Sequence, residues 1–285
     1  MPDVVMRRIL KECDFVSIVS LQKTCHTLRN FIDDTKPEPR IDQIQLSGSA
    51  SSISLVIFCG DNWEKYPKGQ KIQLDYNNPS QFKLDFQKNF GFRRSVLPYF
   101  FLNFPLDTVF LEVLKYSIPS AFRVETFCMS ALDQSSILLI LPLLCPKTLK
   151  YLEITGIKGR YDRMEIDGLV KLEQWKRATS LNIKRVPVSA KIQEFEHFSI
   201  AKVFFEEVTM DDLMFLRKKF LNPASTSEHF QLFYSKIPNQ EPIIQEFGEP
   251  FEDRDQFFIA RGKRWFFKRN EKELVEIGYF PSFLF

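Results

Sequence analysis

The sequence predicts an α/β protein with a small helical unit at its N-terminus. Three observations carry that prediction. Apolar residues recur at steps of three and four between Ile18 and Ile32, the rhythm of a helical seam. Pro37 and Pro39 then interrupt the chain, and period-two alternation follows them. From residue 107 onward a short apolar figure returns every 22 to 29 residues, with helix-like segments between its occurrences. The organisation expected is a helical unit over 1–34, a link over 35–40, a β meander with helices over 41–106, and a repeat-like α/β region over 107–285.

Met1 to Asp34 reads as helical. Pro2 suits an early helix position, because its missing N–H is not needed there and its φ is already helical. Val5, Ile9 and Leu10 form one apolar stripe. Asp14 is a candidate N-cap, since a short acceptor side chain bonds the free N–H groups of a first turn. Ile18, Leu21, Cys25, Leu28 and Ile32 continue as the seam, while Lys23, Arg29 and Asn30 fall off it toward water. Units under about 40 residues usually need a partner, a metal or disulfides to fold stably. This one has aliphatics but no metal-ligand set, so a helical partner is what would complete it.

Thr35 to Arg40 favours an extended link. Ile41, Ile44 and Leu46, then Ile53, Leu55 and Ile57, then Ile72, Leu74 and Tyr76 predict a small antiparallel meander. Phe82, Phe86 and Phe90, at steps of four, predict a helix ending at Gly91. Ser95 to Phe104 is expected as a second, aromatic helix stopped by Pro105.

The recurring figure is apolar-x-apolar-x-x-apolar. It stands at Phe127, Met129, Leu132; at Leu152, Ile154, Ile157; at Leu181, Ile183, Val186; at Val203, Phe205, Val208; and at Leu232, Tyr234, Ile237. At 44% apolar content one match arises by chance at about one position in twelve, so the spacing carries the argument. Between the figures lie helix-like segments. Asp133 to Cys145 has Pro142 as a kink or early end, and Leu169 to Ala178 puts Leu169, Leu172 and Trp175 on one side. Ser189 to His197 is a shorter one, and Thr209 to Leu221 opens on a capping-box variant and aligns Leu213, Leu216 and Phe220. Leu149 to Ile154 fits L-x-x-L-x-L, although Ile157 stands where Asn or Cys is usual. The expectation is therefore a leucine-rich-repeat-like α/β solenoid, with a plain parallel-sheet domain as the alternative. Residues 238 to 263 are expected as a long loop. Arg264 to Lys268 and Leu274 to Tyr279 predict a closing hairpin turned near Asn270, and the apolar tail to Phe285 a buried last strand or a cap.

Composition narrows the function. A net charge of +3 over 285 residues argues against a dedicated nucleic-acid surface, which needs clustered Lys and Arg. Thirty phenylalanines point to a Phe-packed core, with an adhesive binding face as the alternative. Cys13, Cys25, Cys59, Cys128 and Cys145 are odd in number and scattered, which fits free buried thiols in a reducing compartment. The start has the character of an amphipathic helix rather than a secretory signal, and the run from Ile137 to Cys145 is far short of the ~20 residues of a membrane span. A soluble intracellular protein, cytoplasmic or nuclear, is expected.

His26, His197 and His229 are far apart, none at metal-ligand spacing. Cys25 and His26 are helix neighbours that point about 100° apart, so they form no dyad. The acidic pairs Asp33-Asp34, Glu206-Glu207 and Asp211-Asp212 could in principle exchange protons, but Asp211-Asp212 has a simpler role in the first turn of a helix. No catalytic residue, cofactor or metal is assigned.

Two stretches carry a family resemblance. Met1-Pro2-Asp3-Val4-Val5-Met6-Arg7-Arg8-Ile9-Leu10 and the segment Ile18 to Arg29 resemble the F-box, whose pattern runs Leu-Pro-x-Glu-Val-Leu-x-x-Ile-Leu and then Leu-x-x-Leu-x-x-x-Cys-x-x-Leu-Arg. Met1 replaces the first Leu and Val4 the acid. Leu172-Glu173-Gln174-Trp175-Lys176-Arg177-Ala178 with Leu181-Asn182-Ile183, and the closing Trp265-Phe266-Phe267-Lys268 and Leu274-Val275-Glu276-Ile277, resemble the FTH-type domain that follows the F-box in the nematode F-box A family.

The resemblance implies a substrate-recognition subunit of a cullin-type ubiquitin ligase, without an enzymatic step of its own. It implies that Pro2, Val5, Met6, Ile9 and Leu10, with Ile18, Leu21 and Leu28 of the seam, meet a Skp1-like adaptor and through it a cullin. The C-terminal region would hold an unidentified target protein, and no membrane is involved. A scaffold without a ligase role is the competing class. A nucleic-acid binder is the third, resting on Arg93-Arg94, Arg217-Lys218-Lys219, Lys263-Arg264 and Lys268-Arg269 with Trp265 and Phe266 nearby.

Overall fold

The computed structural model describes residues 3–38, 40–49, 51–59, 70–91, 93–106, 108–157, 163–222, 229–236, 240–249, 251–253, 262–268 and 274–281. The chain forms two compact units: Met1–Cys128 with Leu139–Leu149, and Met129–Leu138 with Lys150–Phe285.

The first unit opens with three helices, α1 (Asp3–Glu12), α2 (Phe15–Gln22) and α3 (His26–Thr35). A meander follows, β1 (Gln43–Ser49), β2 (Ser52–Cys59) and β3 (Gln70–Tyr76), paired antiparallel as the alternation predicts. Ile44, Leu46, Ile53, Leu55 and Ile57 are buried. The β1–β2 turn depends on Gly48, whose φ is +151°; a Cβ there would sit 2.2 Å from the Ser52 carbonyl oxygen. Helix α4 (Pro79–Phe90) buries Phe82, Phe86 and Phe90 on one side and ends at Gly91, as their spacing predicts. Asn78 caps it by accepting from Ser80 N–H at 2.9 Å.

The next segment corrects an expectation. Residues 97 to 106 form not a helix but a strand, β4 (Leu97–Leu106), parallel to β1 with Ile44 opposite Phe100 and Leu46 opposite Leu102. Phe100 and Leu102 point inward at period two, and aromatic residues fit a pleated surface well. Pro105 falls in the bulge where the register with β1 shifts, so its missing N–H is not called on by that strand. Helix α5 (Thr108–Ser117), which the sequence reading did not single out, buries Phe110, Leu111 and Leu114. Strand β5 (Val124–Ala131) carries Phe127 and Met129 of the first apolar figure, and α6 (Gln134–Ile140) ends at a 3-10 turn holding Pro142.

Six phenylalanines of this unit form one chain of ring contacts. Phe86 lies 5.5 Å from Phe82, 4.8 Å from Phe90 and 6.3 Å from Phe122, and Phe100 joins Phe122 to Phe127 at 5.6 and 5.7 Å. These angled contacts add about 0.5–1.5 kcal/mol per pair beyond area burial.

The second unit runs β6 (Tyr151–Gly156), β7 (Met164–Glu165), α7 (Glu173–Arg177), β8 (Ser180–Lys184), β9 (Val188–Ser189), β10 (Ile200–Glu207), α8 (Met210–Leu221), β11 (His229–Lys236), α9 (Gln240–Phe247), β12 (Phe251–Asp253), β13 (Gly262–Lys268) and β14 (Leu274–Pro281). Strands β6, β8, β10 and β11 pair in parallel in that order, aligning Leu152, Leu181, Ala201 and Phe230. The first two positions of each apolar figure thus lie on a strand, and the third follows the strand's end at Leu132, Ile157, Val186 and Val208; Ile237 lies outside the described residues. Strand β14 adds to β11 in parallel, and the predicted hairpin closes as β13 antiparallel to β14. The turn expected near Asn270 and the last four residues lie outside the described residues. The expected loop over 238 to 263 instead holds α9 and β12; α9 is an amphipathic turn pair too short to stand out beside two prolines.

Between the strands, short helices supply the other layer. Trp175 is buried between Phe195 at 5.7 Å and Phe198 at 5.2 Å, and Phe195 meets Phe205 of β10 at 5.4 Å. The Trp175 indole N–H donates to the Glu194 carbonyl at 3.3 Å. Helix α8 begins with the predicted capping box: Asp212 N–H donates to the Thr209 hydroxyl at 3.2 Å, and Thr209 N–H to the Asp212 carboxylate at 3.0 Å. Among the described residues no helix is long and apolar enough to cross a membrane.

Phe86→Ala should cost about 3–5 kcal/mol of unfolding free energy, read by chemical denaturation, because it empties the middle of the ring chain. A second prediction concerns Lys219 on α8. Its Nζ is buried with no hydrogen-bond partner among the described residues, and burial pushes its pKa down to about 8 against an opposing pull from Glu196. The unfolded chain then binds more protons than the native one, so this residue's cost is full below about pH 8 and fades toward ~10.4. Lys219→Met should therefore raise stability at pH 7, with the gain shrinking in unfolding curves measured at successively higher pH.

Candidate partner-docking surface

Helix α1 begins with acidic Asp3 and ends near basic Lys11, each at the end of the helix dipole that favours it. Its apolar residues divide into two adjacent stripes. Val5 and Ile9, one turn apart, are 45% and 41% exposed, and Val4 beside them is 77% exposed. Met6 and Leu10, also one turn apart, turn inward; Met6 is half-buried and Leu10 is 1% exposed.

The inward stripe is covered by α2 and α3. Leu10, Ile18 and Ile32 form the buried centre, with Cys13, Leu21, Leu28 and Phe31 packed partly against it. Asp14 caps α2 as predicted, accepting from Ser17 N–H at 2.7 Å. The single seam expected through Ile32 is in fact two helices. Lys23 N–H closes on the Ser20 carbonyl, and the Thr24 hydroxyl donates to the Leu21 carbonyl at 2.7 Å, which ends α2. Cys25 is thereby moved off the seam: it is the N-cap residue of α3 and is exposed rather than a buried thiol. Across the break, Arg29 Nε donates to the Gln22 carbonyl at 3.0 Å and Gln22 Nε2 to Asp33 at 2.9 Å. The Arg7 guanidinium lies 5.8 Å above the Phe31 ring, tying α1 to α3.

The sequence-predicted residues therefore separate. Val5 and Ile9 face outward; Met6, Leu21 and Leu28 are half-buried; Leu10 and Ile18 are taken up by the unit's own core; Pro2 lies outside the described residues. Val4 joins the outward stripe. The sequence had marked it as the place where an apolar residue replaces the motif's acid.

The three helices are mounted on the strands that follow. Phe15 of α2 is buried and stacks on Phe90 of α4 at 6.1 Å. The link expected over 35–40 is held at its middle: the Glu38 carboxylate accepts from Arg94 N–H at 2.9 Å and Ser95 N–H at 2.8 Å. Burial alone would raise the Glu38 carboxyl, but those two amides, the Ser95 hydroxyl and the Arg93 charge together hold it below its usual value. Arg40 also bridges back to Asp14 through the backbone. The Lys88–Asp33 ion pair, 3.5 Å apart and 63% and 38% exposed, adds little.

The remaining polar residues have local roles. His197 Nε2 lies 2.9 Å from the Trp175 carbonyl, and burial pushes its pKa down. Arg217 pairs with Glu246 and lies 5.4 Å over the Phe247 ring, so the Arg217-Lys218-Lys219 cluster is partly spent within the fold. Glu206 pairs with Arg163 at 3.5 Å. Among the described residues no three His, Cys, Asp or Glu side chains are grouped to hold a metal.

Comparison with known proteins matches two regions of the chain. Residues 107–251 match the FTH domain family, and residues 1–39 the F-box domain family. "F-box A protein 224" of Caenorhabditis elegans is 28% identical over 179 residues, 60% of this chain and 44% of that protein. The chain thus spans less than half the length of that relative. No solved structure matches.

Glu38→Ala should release its clasp without unfolding α4. Hydrogen exchange at the Arg94 and Ser95 amides should quicken about tenfold or more, the scale of a lost charge-assisted bond, while the α4 amides keep their protection.

Proposed function

Because the chain belongs to the nematode F-box A family, with an F-box ahead of an FTH domain, we propose that it is the substrate-recognition subunit of a cullin-type ubiquitin ligase. The observation that carries this proposal is the divided apolar surface of α1. The small unit covers Leu10 with its own Ile18 and Ile32 and leaves Val4, Val5 and Ile9 uncovered.

In this proposal the outward stripe lies in an apolar groove of a Skp1-like adaptor, as an amphipathic helix lies in a partner's groove. Leu10 and Ile18 support the helix from behind rather than touching the adaptor. Magnitude says that the stripe does not act alone. Full burial of a Val or Ile side chain is worth about 1.5–3 kcal/mol, whereas micromolar affinity needs about 8 kcal/mol. The half-buried Met6, Leu21 and Leu28 at its margins are the remaining contributors.

The FTH region then holds the target. The strands β6, β8, β10 and β11, parallel in chain order, support its description as a stack of leucine-rich-like repeats, an architecture that offers an extended face to a partner. The chain works by position: it raises the local concentration of target beside ligase machinery that carries the chemistry, within the cell and without a cofactor of its own. A scaffold with the same target-binding region but no adaptor is the alternative.

Co-purification of the full chain with a Skp1-like adaptor tests the proposal. Val5→Asp and Ile9→Asp, made singly, should each weaken that complex at least about a hundredfold, because each would bury an unpaired carboxylate. Their unfolding transitions should stay within about 0.5 kcal/mol of wild type, since both sites are exposed in the free chain. Adaptor binding that survives both substitutions removes the ligase role and leaves the scaffold.

A further inference from the structure

The two ends of the sheet are β12 and β3, and they differ. Strand β12 has three residues, and a very short edge strand is one way natural sheets blunt an edge. Strand β3 has seven, with no proline, and pairs with β2 from Cys59 opposite Gln70 to Ile53 opposite Tyr76 without a register shift. Among the described residues β3 has no second neighbour, so alternate N–H and C=O groups along it point away from β2.

The side chains of β3 are arranged symmetrically about Gln73. Lys71 and Asp75 lie two residues to either side of it, exposed and on the same face. Ile72 and Leu74 lie one residue to either side, half-buried on the other face, where Tyr76 meets Phe82 of α4 at 5.4 Å. Neither Lys71 nor Asp75 has an ion-pair partner among the described residues. The Asp75 carboxylate accepts from the neutral Gln73 side-chain amide at 3.2 and 3.3 Å. Taken in reverse, the strand carries the opposite charge at the same distance from its centre.

We infer that β3 is a self-association edge, joining β3 of a second copy antiparallel about a two-fold axis at Gln73. In that register Lys71 of each copy faces Asp75 of the other, Ile72 faces Leu74, and Gln73 faces its own equivalent. Each contact occurs twice, as a closed two-fold dimer requires. Charge selects this register over its rivals. A slip of one residue sets Ile72 opposite Asp75 or Lys71 opposite Leu74, and a slip of two leaves Lys71 or Asp75 facing Gln73. Parallel pairing in register sets Lys71 against Lys71 and Asp75 against Asp75, and like charges directly opposite are destabilising. A strand from another protein would have to supply this alternation, which a second copy already carries. Strands about 23 Å long make a small interface, so the dimer is weak and concentration-dependent.

Sedimentation equilibrium of the full chain, from micromolar to submillimolar concentration, tests this. Wild type should pass from monomer to dimer. Lys71→Asp alone and Asp75→Lys alone each set like charges at both ends of the pairing, and each should weaken the dimer at least about tenfold. Lys71→Asp combined with Asp75→Lys in one chain exchanges the charges and should restore the wild-type dimer. An equimolar mixture of the two single variants should form a mixed dimer tighter than either variant forms with itself. Both sites are exposed, so the unfolding transitions of all these chains at low concentration should match wild type. A chain that stays monomeric throughout overturns the inference, and that is also the result if the edge is kept for a strand of some other protein. A dimer that the single substitutions leave unchanged, or that the exchange fails to restore, overturns it as well.

Discussion

Helix α1 has more apolar surface than two short helices can cover, and the N-terminal unit is arranged around that excess. On an α-helix, residues 5 and 9 lie about 100° from residues 6 and 10. Helices α2 and α3 close over the second pair and cannot reach the first. Their own length limits them: α2 has eight residues and α3 ten, and Phe15, the largest apolar residue of α2, is spent on Phe90 instead of on α1. The uncovered stripe is therefore a consequence of how the other contacts are allotted.

The body of the protein meets a different constraint. Parallel strands need burial and long crossovers, and here the crossovers into β8 and β10 hold a five-residue helix and 3-10 turns, too short to fill a layer with aliphatics alone. Aromatic rings do it instead. Trp175 reaches Phe195 and Phe198 there, and Phe220 of the longer α8 reaches Phe230. In the first unit Phe86 has the same office between Phe82, Phe90 and Phe122. Among the described residues, these phenylalanines belong to the interior.

Much of this was legible in the chain because period and burial agreed. The strands of the second unit announced themselves through pairs such as Leu152 and Ile154 or Leu181 and Ile183, and α4 through three phenylalanines at steps of four. Residues 97 to 106 misled because Tyr99, Phe100, Phe101 and Leu102 are continuously apolar, and a run without alternation fits helix and strand equally. The break at Thr24 was hidden since a helical seam and two helices sharing one core have the same spacing. For the docking surface, the apolar positions of α1 were visible but their sides were not: Ile9 and Leu10 are neighbours of the same kind, and only the placement of Ile18 and Ile32 tells which is covered. The Glu38 contact with residues 94 and 95, more than fifty positions away, left no local trace.

That contact changes what kind of segment joins the helices to the strands. Six residues with two prolines would ordinarily be a place where evolution or an engineer could add or drop an amino acid freely. With Glu38 anchored on two backbone amides and Arg40 bridged to Asp14, one inserted residue would carry the carboxylate up to about 3.5 Å from its seat. The stretch between Thr35 and Arg40 is then fixed in length as firmly as the interior is fixed in volume, and it behaves as a gauge block instead of a hinge.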